Sequence, residues 1–240
     1  MDHALSFDPQ RYNKKLAIIV PYRDRQAHLN QFLPHMTAYF QRDKLDRNIA
    51  VTIHIIEQVA GKPFNRGKIK NCGFSLVAES CDYVCFHDVD YLPLWADYSW
   101  SPLPARLIWY GLTLQENWHR FFGGVTLFDN ALFRRVNGFP NCYWAWGFED
   151  TELLLRCNAM DYDFEKRDGT YLSLQHPRAG LDAKGQPTQE ARETWGLFKE
   201  REGKIAEFMK DDGVSNLNYR LIHKVPLANN AWHFLVDINP

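Results

Sequence analysis

Tyr83-Val84-Cys85-Phe86-His87-Asp88-Val89-Asp90 is a short apolar run that ends in two acids one residue apart. The pattern predicts a buried strand. With the backbone extended through Asp90, period-two alternation puts both carboxylates on one side. Burying either one unpaired costs several kcal/mol. Two hard oxygen donors at the C-terminal end of a buried strand suit a divalent ion carrying a phosphorylated ligand. An Asp-x-Asp alone is more often a solvated strand end, so the flanking segments decide.

Upstream, Leu16-Ala17-Ile18-Ile19-Val20 reads as a strand covered on both faces, stopped by Pro21. Tyr22-Arg23-Asp24-Arg25 follows at the strand's C-terminal end, where open α/β sheets bind ligands. Arg23 and Arg25 are placed to grip a phosphate or to begin a solvated helix. Leu29 to Phe40 has near-helical apolar spacing, with Pro34 as a kink point. Asn48 to Glu57 is a second strand, and Gln58 to Gly67 a loop. Phe64-Asn65-Arg66 reads either as a base-stacking and phosphate-holding pair or as a packed Phe beside a surface Arg. A helix from about Lys68 to Glu79 then leads into the acidic strand. This strand–helix–strand–helix–strand order predicts a right-handed parallel α/β unit.

Downstream, Leu92 to Tyr110 is rich in Pro, Trp and Tyr and is expected to be irregular. Phe121-Phe122-Gly123-Gly124-Val125 leads into a strand to Phe128; the glycines mark a close backbone approach to ligand or a bulge. A short helix to Val136 ends at Asn137-Gly138. The aromatic loop Phe139 to Phe148 runs into Glu149-Asp150-Thr151-Glu152, a helix start. Capping and the helix dipole account for acids there; Asp150 as a general base is the functional alternative. Phe164–Lys166 and Tyr171–Leu174 read as short strands, and His176 follows the second. Glu190 to Met209 reads as one charge-rich helix, Leu217–Lys224 and Trp232–Asp237 as late strands. The 240 residues show no internal repeat and are read as one domain, with 1–14 a loose lead-in.

A net charge of −1 disfavours a nucleic-acid partner. No apolar run approaches a membrane span, and no signal-peptide pattern opens the chain. The 8 Trp cluster near Tyr91–Tyr110 and Tyr143–Trp146, where planar faces hold sugar rings or simply pack. The five cysteines lack zinc-site spacing and are read as reduced thiols, which places the chain in the cytoplasm. The alternative is the soluble catalytic part of a membrane-anchored enzyme.

Taken in order, Val20-Pro21-Tyr22-Arg23-Asp24-Arg25, Phe64-Asn65-Arg66-Gly67-Lys68, Asp88-Val89-Asp90, Phe122-Gly123-Gly124-Val125, Asn137-Gly138-Phe139-Pro140-Asn141, Tyr143 to Asp150, Asp212 to Leu217 and Val236-Asp237-Ile238 resemble the β-1,4-galactosyltransferases of glycosyltransferase family 7. The resemblance spans nearly everything after Lys15. It implies an α/β, GT-A-type single domain with a Rossmann-like, mainly parallel sheet flanked by helices. It further implies a nucleotide-sugar half at 15–110 and an acceptor-binding, catalytic half at 111–240. The implied reaction transfers galactose from UDP-galactose, with inversion and in β-1,4 linkage, to a hydroxyl of a sugar or glycan acceptor. Donor contacts fall on Pro21, Tyr22, Arg23, Arg25, Phe64, Arg66, Asp88, Val89, Asp90, Phe121, Gly124 and Trp146. Manganese (Mn2+) ligands fall on Asp90 and His176. Acceptor contacts fall on Trp146, Glu149, Asp150 and Thr151, with Asp150 as catalytic base. The Trp146 loop is expected to close over the donor and exclude water.

The chain departs from the family pattern at several places. Ser173 stands where many members have a Met three residues before the metal His. Thr151 replaces the second Asp of Glu-Asp-Asp, and Glu152 matches an acid found in a xylose-using form. Phe121 stands where a Tyr often helps separate galactose from N-acetylgalactosamine, whose transfer is the alternative reaction. Cys85 matches a disulfide cysteine of Golgi members, but Trp100 occupies its partner's position. A UDP-sugar or glycan-binding module without turnover is the alternative from another class.

Overall fold

A computed structural model describes residues 13–47, 49–108, 122–176, 180–227 and 230–238. The elements are β1 (Lys15–Tyr22), α1 (Gln26–Arg47), β2 (Ala50–Gln58), α2 (Arg66–Val77), β3 (Tyr83–His87), β4 (Tyr91–Ala96), β5 (Ala105–Arg106), β6 (Val125–Asp129) and α3 (Asn130–Arg135). They continue with α4 (Glu149–Ala159), β7 (Glu165–Lys166), β8 (Gly169–Ser173), α5 (Gln189–Arg201), α6 (Ile205–Asp211), β9 (Arg220–Pro226) and β10 (Ala231–Asp237).

An eight-stranded sheet runs in the order β7-β5-β6-β3-β1-β2-β10-β9. Its centre, β3-β1-β2-β10, is parallel throughout. Strand β1 is continuously apolar because both of its faces are covered. Leu16, Ile18 and Val20 pack with Leu29, Phe32 and Met36 of α1. Ala17 and Ile19 face the other way, onto Ile69 and Phe74 of α2, Phe133 of α3 and Leu153 of α4. Two helical layers thus sandwich the sheet.

Three expectations need correction. The strand ends at His87 as expected, but the chain does not stay extended through Asp90: the Tyr91 N–H returns to the Asp88 carbonyl at 3.4 Å, so Asp88–Tyr91 is a turn. The stretch after it is not irregular, because β4 pairs with β8 in a separate two-stranded sheet and β5 joins β6 and β7. Glu190 to Met209 is two helices, α5 and α6, separated around Gly203, whose missing side chain lowers helix propensity. Helix α1 runs on past Pro34 to Arg47.

Candidate active site

The C-terminal ends of β1, β2 and β3 and the first turns of α2 and α4 meet on one edge of the sheet. Asn65 caps α2 by accepting from the Lys68 N–H at 2.8 Å, which fixes Arg66 at the helix start. Gly67 permits the close approach of α4: a Cβ there would stand 2.6 Å from the Pro140 carbonyl oxygen and 3.2 Å from Glu149 Cβ. Arg66 donates from Nε and Nη2 to Asp88 at 3.2 and 2.8 Å, and from Nη1 to Glu149 at 2.6 Å. Asp150 Oδ2 lies 4.0 Å from the same guanidinium.

Helix α4 begins in strain. Phe148, its N-cap residue, has φ +72°, a left-handed backbone that a side-chain-bearing residue rarely adopts. The Phe148 ring stacks on Phe198 at 4.7 Å and lies 5.3 Å from Trp195, so α5 holds the turn in place. The turn presents Glu149 and Asp150, both buried, to Arg66. The Thr151 N–H donates to Asp150 Oδ1 at 2.7 Å. Burial, then Glu149, pushes Asp150 up to about 6, against the pull of Arg66 and Lys70. Burial alone would raise Asp88 as well, but Arg66 and Lys70 outweigh it and hold Asp88 below the usual carboxylate range.

Asp90 occupies the far side of the turn. Its Oδ2 lies 2.7 Å from His176 Nε2 and 3.7 Å from Arg25 Nη2. Burial, then the nearby Asp88, raises the Asp90 carboxyl despite those partners. One carboxylate and one imidazole in contact fit a borderline divalent ion. Among the described residues no three His, Cys, Asp or Glu side chains converge into a complete metal shell. A bound ion would therefore need ligands beyond these described side chains.

The remaining sequence candidates are dispersed around this centre. Arg23 donates to the Lys62 carbonyl at 2.6 Å and stacks over Phe64 at 5.3 Å, so the Phe–Arg pair that forms is Arg23–Phe64. Pro21 and Tyr22 end β1; the Tyr22 ring is buried and its hydroxyl reaches Gln26 at 3.4 Å. Val89 points into the core on the α1 side. Gly124, at φ +78°, accepts the Asp88 N–H at 2.8 Å, which brings backbone against the acid turn. Trp146 is half exposed and its ring lies against Gly180. Phe121 lies outside the described residues.

The sequence does not reveal the role of Lys70, and it shows Glu152 only as an acid shared with a xylose-using form, without its partners. Lys70, on the buried face of α2, places Nζ 4.0 Å from Asp88 Oδ1. A lysine at an apolar helical position was the available signal. Glu152 accepts from the Tyr143 hydroxyl at 2.7 Å, Arg156 Nη2 at 2.9 Å and Arg201 Nη2 at 2.7 Å, all fully or nearly fully buried. Arg201 also reaches Asp212 at 2.8 Å. This network ties α4, α5 and the end of α6 together behind Asp150.

Comparison with known proteins places this geometry. The N-terminal region of glycosyl transferase group 7 matches residues 5–99. A second profile of that group, described as the N-terminal domain of galactosyltransferase, matches residues 109–177. Mouse β-1,4-galactosyltransferase 4 is 34% identical over 218 residues, covering 87% of this chain and 59% of the relative. Drosophila melanogaster β-1,4-galactosyltransferase 7 is 38% identical over 146 residues, covering 59% of this chain and 44% of the relative. The chain therefore spans three fifths or less of the length of these relatives. The catalytic domain of Drosophila β-1,4-galactosyltransferase 7 with xylobiose superposes at TM-score 0.73, with 26% identity and 94% of each chain covered. A mutant of that enzyme in complex with manganese, UDP-Gal and xylobiose superposes at TM-score 0.76, with 27% identity and the same coverage. The architecture is the GT-A type, and no helix among the described residues is long and apolar enough to cross a membrane. The chain belongs to glycosyl transferase group 7, the family of the β-1,4-galactosyltransferases.

Proposed function

We propose that this chain transfers galactose from UDP-galactose to a hydroxyl of a sugar acceptor, with inversion and with Mn2+ as cofactor. The observation that carries this reading is the convergence of Asp90–His176, Arg66–Asp88 and Asp150 on one sheet edge. The Drosophila relative bound to manganese, UDP-Gal and xylobiose supports the same donor, ion and acceptor class.

Arg23, Arg25 and Phe64 bind the nucleotide, and Asp88, held by Arg66, orients the donor sugar. Asp90 and His176 hold the ion, which when bound supplies positive charge to the departing diphosphate. Asp150 accepts the proton of the acceptor hydroxyl as that oxygen bonds to the anomeric carbon and the bond to UDP breaks. Trp146 lies beside Glu149 and Asp150 in sequence and covers the sugars. Galactose rather than N-acetylgalactosamine rests on the bulk of Phe121, and a cytoplasmic location on the five free thiols. The donor half at 15–110 and the catalytic half at 111–240 remain part of this reading.

The test is UDP release from a panel of UDP-sugars, with and without Mn2+, over a pool of sugar acceptors. Release that is fastest with UDP-galactose and requires both Mn2+ and an acceptor is the expected result. UDP binding without turnover of any donor overturns the enzyme reading in favour of a binding module.

A further inference from the structure

Helix α2 turns Ile69, Cys72, Phe74 and Val77 toward the sheet, and on the same buried side it carries Lys70, 1% exposed. Lys70 stands one turn after Arg66 and one before Phe74, so its ammonium shares a stripe with the Arg66 guanidinium. Its Nζ lies 4.0 Å from Asp88 Oδ1 and 4.8 Å from the centre of the Phe139 ring. A buried ammonium is costly unless negative charge surrounds it. Here the charge count supplies the reason. Asp88, Glu149 and Asp150 converge on Arg66, three carboxylates on one guanidinium.

Arg66 is largely committed. It spends Nε and Nη2 on Asp88 and Nη1 on Glu149, and reaches Asp150 only at 4.0 Å. The charged groups acting on Asp150 are Glu149 from its own helix, and Arg66 and Lys70 from α2. Burial and Glu149 favour the neutral acid; Arg66 and Lys70 favour the carboxylate. We propose that Lys70 is a positioning residue of the transfer reaction, a second fixed positive charge behind Asp88 that keeps Asp150 ionised as the base. The inference rests on the assignment of Asp150 under the proposed function. Burial, then Arg66, lowers Lys70 to about 8, so it is charged through neutral pH.

The experiment follows the Asp150 carboxyl by 13C NMR in aspartate-labelled protein, its resonance identified by loss in Asp150→Asn. The kcat/KM pH profile for galactose transfer is recorded beside it. In Lys70→Met the Asp150 midpoint should rise by about one unit. The acid limb of kcat/KM should move with it, giving a loss of about fivefold at pH 6 and little loss at pH 8. Lys70→Arg should restore both. A midpoint that stays put in Lys70→Met, even with a lowered Tm, overturns the proposal, because a purely structural lysine would leave that signature. The wild-type titration decides the matter if the neutral variant does not fold. The Asp150 resonance should show a second inflection near pH 8 as Lys70 loses its proton, and a single inflection overturns the coupling. The NMR readout needs no turnover, so a wild-type chain that fails to transfer galactose defeats the proposed function without deciding Lys70.

Discussion

Arg66 forms a two-pronged pair with Asp88, Nε at 3.2 Å and Nη2 at 2.8 Å, and points its remaining nitrogen at Glu149, 2.6 Å away. One planar fork thereby joins the turn after β3 to the first residue of α4. Those two segments carry the acids assigned to donor and acceptor, so their separation is set by a rigid group with fixed donor angles.

Replacing Arg66 with Met should expose this dependence. Buried Glu149 and partly buried Asp88 would lose their shared partner, at a cost of about 3 kcal/mol. Urea unfolding at pH 7.5 measures it. Arg66→Lys keeps the charge but loses the fork, and should fall between wild type and Arg66→Met in stability while losing most turnover. Equal turnover in Arg66→Lys and wild type would show that the fork geometry is dispensable.

Asp90 and His176 make a prediction about the ion alone. Electron paramagnetic resonance of free Mn2+ during a titration reports binding without any substrate turnover. Asp90→Asn removes a charged oxygen donor and His176→Ala an imidazole, and each should weaken Mn2+ binding in the presence of UDP by at least about tenfold. Unchanged binding in both variants would remove the pair from the metal site.

How much of this site the sequence displays depends on how local each feature is. Strands β1 and β3 are legible because both faces are buried, which leaves an unbroken apolar run. Strand β4 is not, because Pro93 interrupts it and its one partner among the described residues is β8, with a register shift between Pro93 and Trp95. The acid turn is legible as residue types and illegible as geometry: Tyr91 bonding back to Asp88 is what bends it. The Asp90–His176 pair and the Arg201–Glu152 bonds join residues far apart in the chain, and only the fold brings them into contact. The first came from family resemblance; the second left no mark, since Arg201 reads as an ordinary charge near the end of a polar helix.

Asp150 gives a pH dependence with a definite sign. Its folded-state pKa, pushed up to about 6, lies above the ordinary aspartate value, so the native state holds the proton that the unfolded chain releases. Between about pH 4 and pH 6 stability should fall as pH rises, and the deficit persists above that window. The order of magnitude is about 3 kcal/mol. Asp150→Asn removes this penalty, so the variant should be more stable than wild type at pH 8 while losing at least about a hundredfold in kcat and retaining UDP binding. Wild-type kcat/KM should rise along an acid limb centred near 6. A variant that is inactive and also destabilised at pH 8 would show that Asp150 is structural.

Glu152 carries the opposite sign. It is fully buried and takes hydrogen bonds from Tyr143, Arg156 and Arg201. Burial would raise its carboxyl, but Arg201 and Arg156 together hold it below the usual glutamate range. Its contribution is thus fully present above the ordinary glutamate value and is lost as pH falls through the depressed one. Glu152→Gln keeps the shape and deletes the charge, leaving two buried guanidinium groups with less compensation, and should cost about 3–5 kcal/mol at pH 7. Because wild type loses the same charge in acid, the gap between the two proteins should narrow steadily below pH 4. Urea midpoints at pH 7 and pH 3 measure it. A gap that is as wide at pH 3 as at pH 7 would mean that packing, and not charge, makes Glu152 matter. Helix α4 carries both Glu152 and Asp150, so the variant should also lose turnover at pH 7 beyond what its remaining folded fraction explains.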